Sequence, residues 1–146
     1  MTGVQTCALP IYNSHPIACA AALATIKVYE DDKLLENAKK MGAVMTRLMA
    51  DLARKHPSVG AARSIGLFGL VELVRDTAKK VPMAPFNGTS DEMAALGKFF
   101  RQEGLYTFVR WNTFFTNPPL CITDAELRDA FAIIDRGLEI TDRAVS

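Results

Sequence analysis

The 146-residue sequence has only three cysteines, one tryptophan and three tyrosines, and neither sign of charge prevails. Cys7, Cys19 and Cys121 are too few and too scattered for a disulfide framework or a zinc cluster, which points to a reducing, cytoplasmic setting. Seventeen basic against sixteen acidic side chains give a formal charge of +1, so no bulk field draws nucleic acid or another polyanion. No apolar run approaches the roughly 20 residues that span a bilayer, which argues against a membrane protein. No glycine-rich phosphate loop is present, since Gly66 and Gly69 lack the third glycine and the helix start it requires. His15 and His56 have no His or Cys partner at metal-ligand spacing, so no metal site is expected. Ser14 and Ser64 stand in no nucleophile elbow.

Hydrophobic residues make up 49% of the chain and charged residues 23%, enough apolar surface to bury a core and exclude disorder. Residues 1–11 (MTGVQTCALPI) stand apart. They carry no charge, no amphipathic period and no cap, and lack the basic start and apolar core of a signal peptide. They read as a non-native leader, the conceptual translation of a sequencing-library adapter.

From Tyr12 onward the pattern is regular. Asn13 and Ser14 offer cap chemistry, and Pro16 suits a first helical turn. The alanine-rich stretch Ile17 to Tyr29 reads as a helix whose small side chains permit close, buried packing, with His15 donating to backbone at its start. A longer helix from about Lys33 to Lys55 carries Leu34, Ala38, Met41, Met45, Leu48 and Leu52 on one face and ends at Pro57. Arg63 to Val74 reads as one buried strand, with Gly66 and Gly69 marking a bulge or close packing. Thr89 with Glu92 predicts a capping box opening a helix that Gly104 stops. Tyr106 to Val109 and Thr113 to Thr116 read as two short strands. Thr123 with Glu126 is a second capping box, opening a helix striped by Leu127, Phe131, Ile134 and Leu138. The sum is a small α/β (α+β-like) layer with helices on one face of a short sheet.

Arg110 is the sharpest candidate for a functional residue. It ends an apolar strand and precedes Trp111. A partly desolvated guanidinium there grips a carboxylate through two parallel hydrogen bonds. The competing reading is a surface arginine that stacks on Trp111 or pairs with a nearby acid. The methionines at helical spacing read as core, and Cys121, between Leu120 and Ile122, as an inert buried thiol.

Three segments, YNSHPIACAAALATIKVYEDD, ARSIGLFGLVELV and GLYTFVRWNTFFTNPPLCIT, occur in an order that resembles the C-terminal third of class III aminotransferases. These are pyridoxal-phosphate enzymes of fold type I, and the resemblance is greatest to those acting on taurine, β-alanine or 4-aminobutyrate. It implies that residues 12–56 are helices linking a large domain to a small one, and that 57–146 form the small C-terminal domain. It further implies a homodimeric, cytoplasmic parent that uses pyridoxal 5'-phosphate to move an amino group from an ω-amino compound to an α-keto acid such as pyruvate or 2-oxoglutarate.

The catalytic Schiff-base lysine of that family lies upstream of the segment matched by Tyr12 to Pro16, so no catalytic or cofactor-binding residue carries over. Ile11 stands where many members have a phosphate-contacting threonine. Arg110 matches the arginine just before the NPPL-type segment, which in relatives binds the substrate carboxylate or swings away to admit an uncharged group. The alternative is a stand-alone carboxylate-binding or regulatory α/β module.

Overall fold

A computed structural model of the protein describes residues 15–146, so the leader expected at 1–11 and the cap chemistry of Asn13 and Ser14 lie outside the described residues. The chain divides into two compact units, Met1–Leu35 and Glu36–Ser146. In the first, helix α1 spans Pro16–Asp31 with Pro16 in its opening turn. His15 is the N-cap, and its Nδ1 accepts from the backbone N–H of Ile17 at 3.3 Å, so the ring receives rather than donates there. The expectation of a buried helix is not met, because α1 contains no buried residue. Its apolar side chains are spread around the helix, and Ile17, Leu23, Ile26 and Val28 are all exposed. A helix without a single apolar stripe offers no one face to a core.

The second unit is built on helix α2, Leu34–Lys55, whose Met41, Met45, Met49 and Leu52 are buried. Spacings of four and three residues place them on one stripe. Two strands follow where one was expected: β1 (Val59–Ile65) and β2 (Phe68–Asp76). They pair antiparallel, with Ile65 opposite Phe68 across the two-residue turn Gly66-Leu67. Gly66 sits at φ +56°, a left-handed conformation that costs glycine nothing. This turn is what the continuous apolar run of Arg63 to Val74 concealed. Gly42 of α2 also requires its hydrogen, since a Cβ there would lie 2.6 Å from the Cα of Gly66.

A short strand β3 (Val81–Pro82) pairs with β2. Helix α3 spans Asp91–Gln102, with Ser90 as its N-cap accepting from Met93 N–H. The cap thus falls one residue later than Thr89. Glu92 is accordingly free to receive Arg75 Nη2 at 2.6 Å, which ties α3 to β2. Strands β4 (Val109–Arg110) and β5 (Thr113–Thr116) form a tight hairpin, and helix α4 spans Asp124–Asp142. Thr123 and Glu126 make both bonds of the expected capping box.

The sheet order is β1-β2-β5-β4, with β3 off the path, and all pairings are antiparallel. Alternation assigns each face. Ala62, Val71, Phe114 and Val109 are cross-strand partners and share one face. Val71 and Phe114 are wholly buried, in one core with Met45 and Met49 of α2, Leu96 and Phe100 of α3, and Leu127 and Leu138 of α4. Phe100 meets Phe114 edge-on at 5.4 Å. The opposite face, with Arg63, Leu70, Phe115, Thr113 and Arg110 in register, carries no such core.

Candidate functional site

Arg110 lies on this second face, opposite Thr113 at the end of the β4–β5 hairpin. Its guanidinium carbon stands 4.3 Å from the centre of the Trp111 ring. Contacts of this kind are worth about 0.5–1 kcal/mol at exposed positions. Among the described residues no carboxylate pairs with it. Glu72 reaches the same face through its pairing with Thr113, yet it faces Arg63 at 3.7 Å instead. The structure thus finds the stacked arginine, with the hydrogen-bonding edge of the guanidinium left to other partners.

Trp111 is the unusual member of the pair. It adopts φ +54°, a region that costs a non-glycine residue about 1–3 kcal/mol and persists only where its surroundings demand it. The next residue supplies that demand. Asn112 O accepts from Leu73 N–H at 2.7 Å, and Asn112 Nδ2 donates to Leu73 O at 3.2 Å, which pins the loop to β2. Beyond it the ring of Phe86 packs against Trp111 at 4.3 Å between centroids. The Pro82–Gly88 turn thereby touches the hairpin tip, a contact no local pattern signalled.

A cleft of about 380 Å³ lies elsewhere on the same unit, lined chiefly by Tyr106, Phe108, Phe115, Pro118, Phe131 and Ile134. Its wall is largely apolar, and Arg110 does not line it. Phe115 stacks with Phe108 at 5.6 Å and with Phe68 at 6.0 Å, making an aromatic row along the open sheet face. Cys121 is exposed rather than buried, because the turn after Pro119 lifts it off the core while Ile122 takes the inward position.

His56 is buried, with Nε2 2.9 Å from Asp135 and Nδ1 2.6 Å from Asp142. Asp142 also accepts from Ser58 N–H and Oγ, and Asp135 pairs with Lys55. Burial alone would raise the Asp135 carboxyl, but the hydrogen bonds from Lys55 and His56 outweigh it and hold the group below its ordinary value. Asp135 and Asp142 are seven apart on α4, one helical face. That spacing was the only sequence signal for this cluster.

The family model "Aminotransferase class-III" matches residues 9–138, and the chain belongs to that family. The chain is 34% identical over 130 residues to a taurine–pyruvate aminotransferase of Bilophila wadsworthia, covering 85% of this chain and 28% of that one. It is 28% identical over 138 residues to an ethanolamine-phosphate phospho-lyase homolog of Caenorhabditis elegans, covering 90% and 28%. A taurine:2-oxoglutarate aminotransferase from Bifidobacterium kashiwanohense, solved with pyridoxal phosphate and glutamate, superimposes with a TM-score of 0.86 at 26% identity, over 97% of this chain and 32% of that one. The protein therefore has the fold of part of a fold type I enzyme, and spans about a third of the length of such relatives.

The described residues do not by themselves fit a lysine-anchored cofactor. Every lysine among them is solvent-exposed. Lys27, Lys55 and Lys79 are engaged by Asp31, Asp135 and Asp76. An amine that holds an aldehyde needs a desolvated pocket to remain uncharged and nucleophilic, and none of these positions provides one.

Proposed function

We propose that this chain is the C-terminal part of a pyridoxal-phosphate-dependent aminotransferase, and that Arg110 binds the carboxylate of its α-keto acid. In this reading residues 12–56 link a large domain to the small domain 57–146. The cofactor and its lysine belong to the preceding part of the polypeptide. The intact protein is a cytoplasmic homodimer that takes an ω-amino compound as donor and pyruvate or 2-oxoglutarate as acceptor. Among the described residues no helix is long and apolar enough to cross a membrane.

The observation that carries the reading is the unpaired fork of Arg110 on a sheet face that the helices leave open. A planar guanidinium can hold a carboxylate through two parallel bonds, which orients the keto carbon without contributing to proton transfer itself. The kinship to a phospho-lyase favours a second reading, elimination from an amino substrate without an acceptor.

One assay separates them. The full coding sequence would be expressed and supplied with taurine, β-alanine, 4-aminobutyrate or ethanolamine phosphate, with and without pyruvate or 2-oxoglutarate. Amino transfer that requires the keto acid supports the proposal. Release of ammonia or phosphate from an amino substrate without any acceptor would establish the lyase reading instead.

A further inference from the structure

We propose that Trp111, braced by Phe86, is a positioning residue that holds Arg110 ready for a carboxylate and so sets the preference for acidic over uncharged ligands. The proposal rests on the reading that Arg110 binds the substrate carboxylate. Three observations meet at this point. The guanidinium lies 4.3 Å from the indole centre. The indole is itself packed at 4.3 Å on Phe86, an exposed ring with no place in the core. Trp111 keeps a positive φ of 54°, a conformation maintained by the two hydrogen bonds between Asn112 and Leu73.

A tryptophan is poorly suited to that backbone conformation, where glycine or asparagine would sit without strain. Its presence at the strained position is explained if the conformation serves to aim the indole at its neighbour. Stacking uses the face of the guanidinium, whereas a carboxylate binds its edge, so the two contacts are compatible. An arginine already confined to one plane loses less rotamer freedom when the carboxylate arrives. Without the indole the same side chain would sample many conformers, and only a fraction would present the fork.

The test uses the chain itself, in which Trp111 is the one tryptophan and thus a built-in fluorophore. Pyruvate is titrated against the wild type and the variants Trp111→Asn, Trp111→Phe, Phe86→Ala and Arg110→Gln. Binding is read from broadening of the pyruvate methyl resonance, and acetone serves as the uncharged control. Asparagine tolerates positive φ, so Trp111→Asn removes the ring while keeping the turn. Its pyruvate affinity should fall about two- to five-fold, the range of an exposed cation–π contact. Trp111→Phe should recover most of that affinity, and Phe86→Ala should fall between the two while shifting Trp111 emission. The Nε–Hε resonance of Arg110 should be displaced upfield by the ring in the wild type and return towards its free position in Trp111→Asn.

Several results would overturn the proposal. Equal pyruvate affinity in the wild type and Trp111→Asn, together with a large loss in Arg110→Gln, would remove the platform and leave the carboxylate reading standing. Unchanged affinity in Arg110→Gln would remove the carboxylate reading itself, and no detectable pyruvate binding by the wild type would overturn the claim that Trp111 alone holds Arg110 ready for a carboxylate. An Arg110 resonance at its free position in the wild type would remove the stacking on which the platform depends.

Discussion

His56 Nδ1 and Asp142 Oδ2 stand 2.6 Å apart, joining the C-terminal end of α2 to the last turn of α4. The other ring nitrogen meets Asp135 at 2.9 Å, so the ring bridges a carboxylate on each side. Ser58 bonds to both Asp142 and the buried Thr141, which extends the network into the start of β1. Replacing His56 by alanine leaves two partly buried carboxylates without the ring between them, each keeping only its second partner, Lys55 for Asp135 and Ser58 for Asp142. Both retain some solvent contact, at 31% and 22% exposure, so the loss should be about 2–4 kcal/mol rather than more. Urea unfolding of His56→Ala should show it. An unchanged midpoint would mean that water replaces the ring at no cost.

Acid should weaken both this network and the Arg75–Glu92 pair. Asp135 and Glu92 both have carboxyl groups held below their ordinary values. For Glu92 the largest cause is its own backbone N–H at the start of α3, followed by the bond from Arg75. A carboxyl whose folded value is depressed contributes stability above its unfolded value, and loses it as pH falls through the folded one. From ordinary values of 3.8 and 4.5, unfolding midpoints should drop as pH goes below about 4.5. Asp135→Asn and Glu92→Gln should flatten that slope. A slope in the double variant equal to that of the wild type would assign the acid sensitivity to other groups.

Gly69 allows β2 to lie against β5, since a Cβ there would approach Thr116 Oγ1 to 2.1 Å and Met49 Sδ to 3.0 Å. Gly69→Ala should destabilise the chain by about 1–3 kcal/mol through overpacking. Thr116→Ala removes the closest atom, so adding it should return part of the loss. Thermal unfolding of the two single variants and the double variant would reveal that coupling.

The apolar side chains of α1 should make the expressed chain associate. Ile17, Leu23 and Ile26 are each more than half exposed, at 73%, 69% and 55%, and apolar surface of that kind promotes self-contact. Sedimentation velocity should detect oligomers that Leu23→Lys with Ile26→Lys reduces. A monodisperse monomer at micromolar concentration would contradict the expectation.

In the intact enzyme, Arg110→Ala should slow the half-reaction with pyruvate by about ten- to a hundred-fold, the value of a partly desolvated arginine–carboxylate contact. Amine donors lacking a carboxylate should be spared, and Arg110→Lys should recover only part, because an ammonium cannot reproduce the planar fork. Single-turnover rates for each half-reaction give the comparison. Equal effects below about two-fold on both would place Arg110 outside the carboxylate site.

Much of this architecture was legible along the chain because it depends on near neighbours. The stripe of α2, the box of Thr123 and Glu126, and the stop at Gly104 all follow from groups within one or two turns of each other. Ordered motifs also led to the family, since Tyr12 to Pro16 and the NPPL segment keep their order and separation whatever surrounds them. Readings that failed were those in which local signals compete. A continuous apolar run hid the turn at Gly66-Leu67, and two adjacent hydroxyl residues, Thr89 and Ser90, offered rival caps that differ by one position.

Only the tertiary structure decided which groups meet across long separations. His56 and Asp142 are 86 residues apart, and no periodicity links a residue before a proline to the end of a distant helix. Arg110 could equally have paired with an acid or stacked on its neighbour. The outcome depended on Leu73 gripping Asn112 and on Phe86 arriving behind the indole. The physical reason is range: backbone preference and amphipathic period act over a few residues, whereas packing selects among conformers that those local forces leave nearly equal in energy.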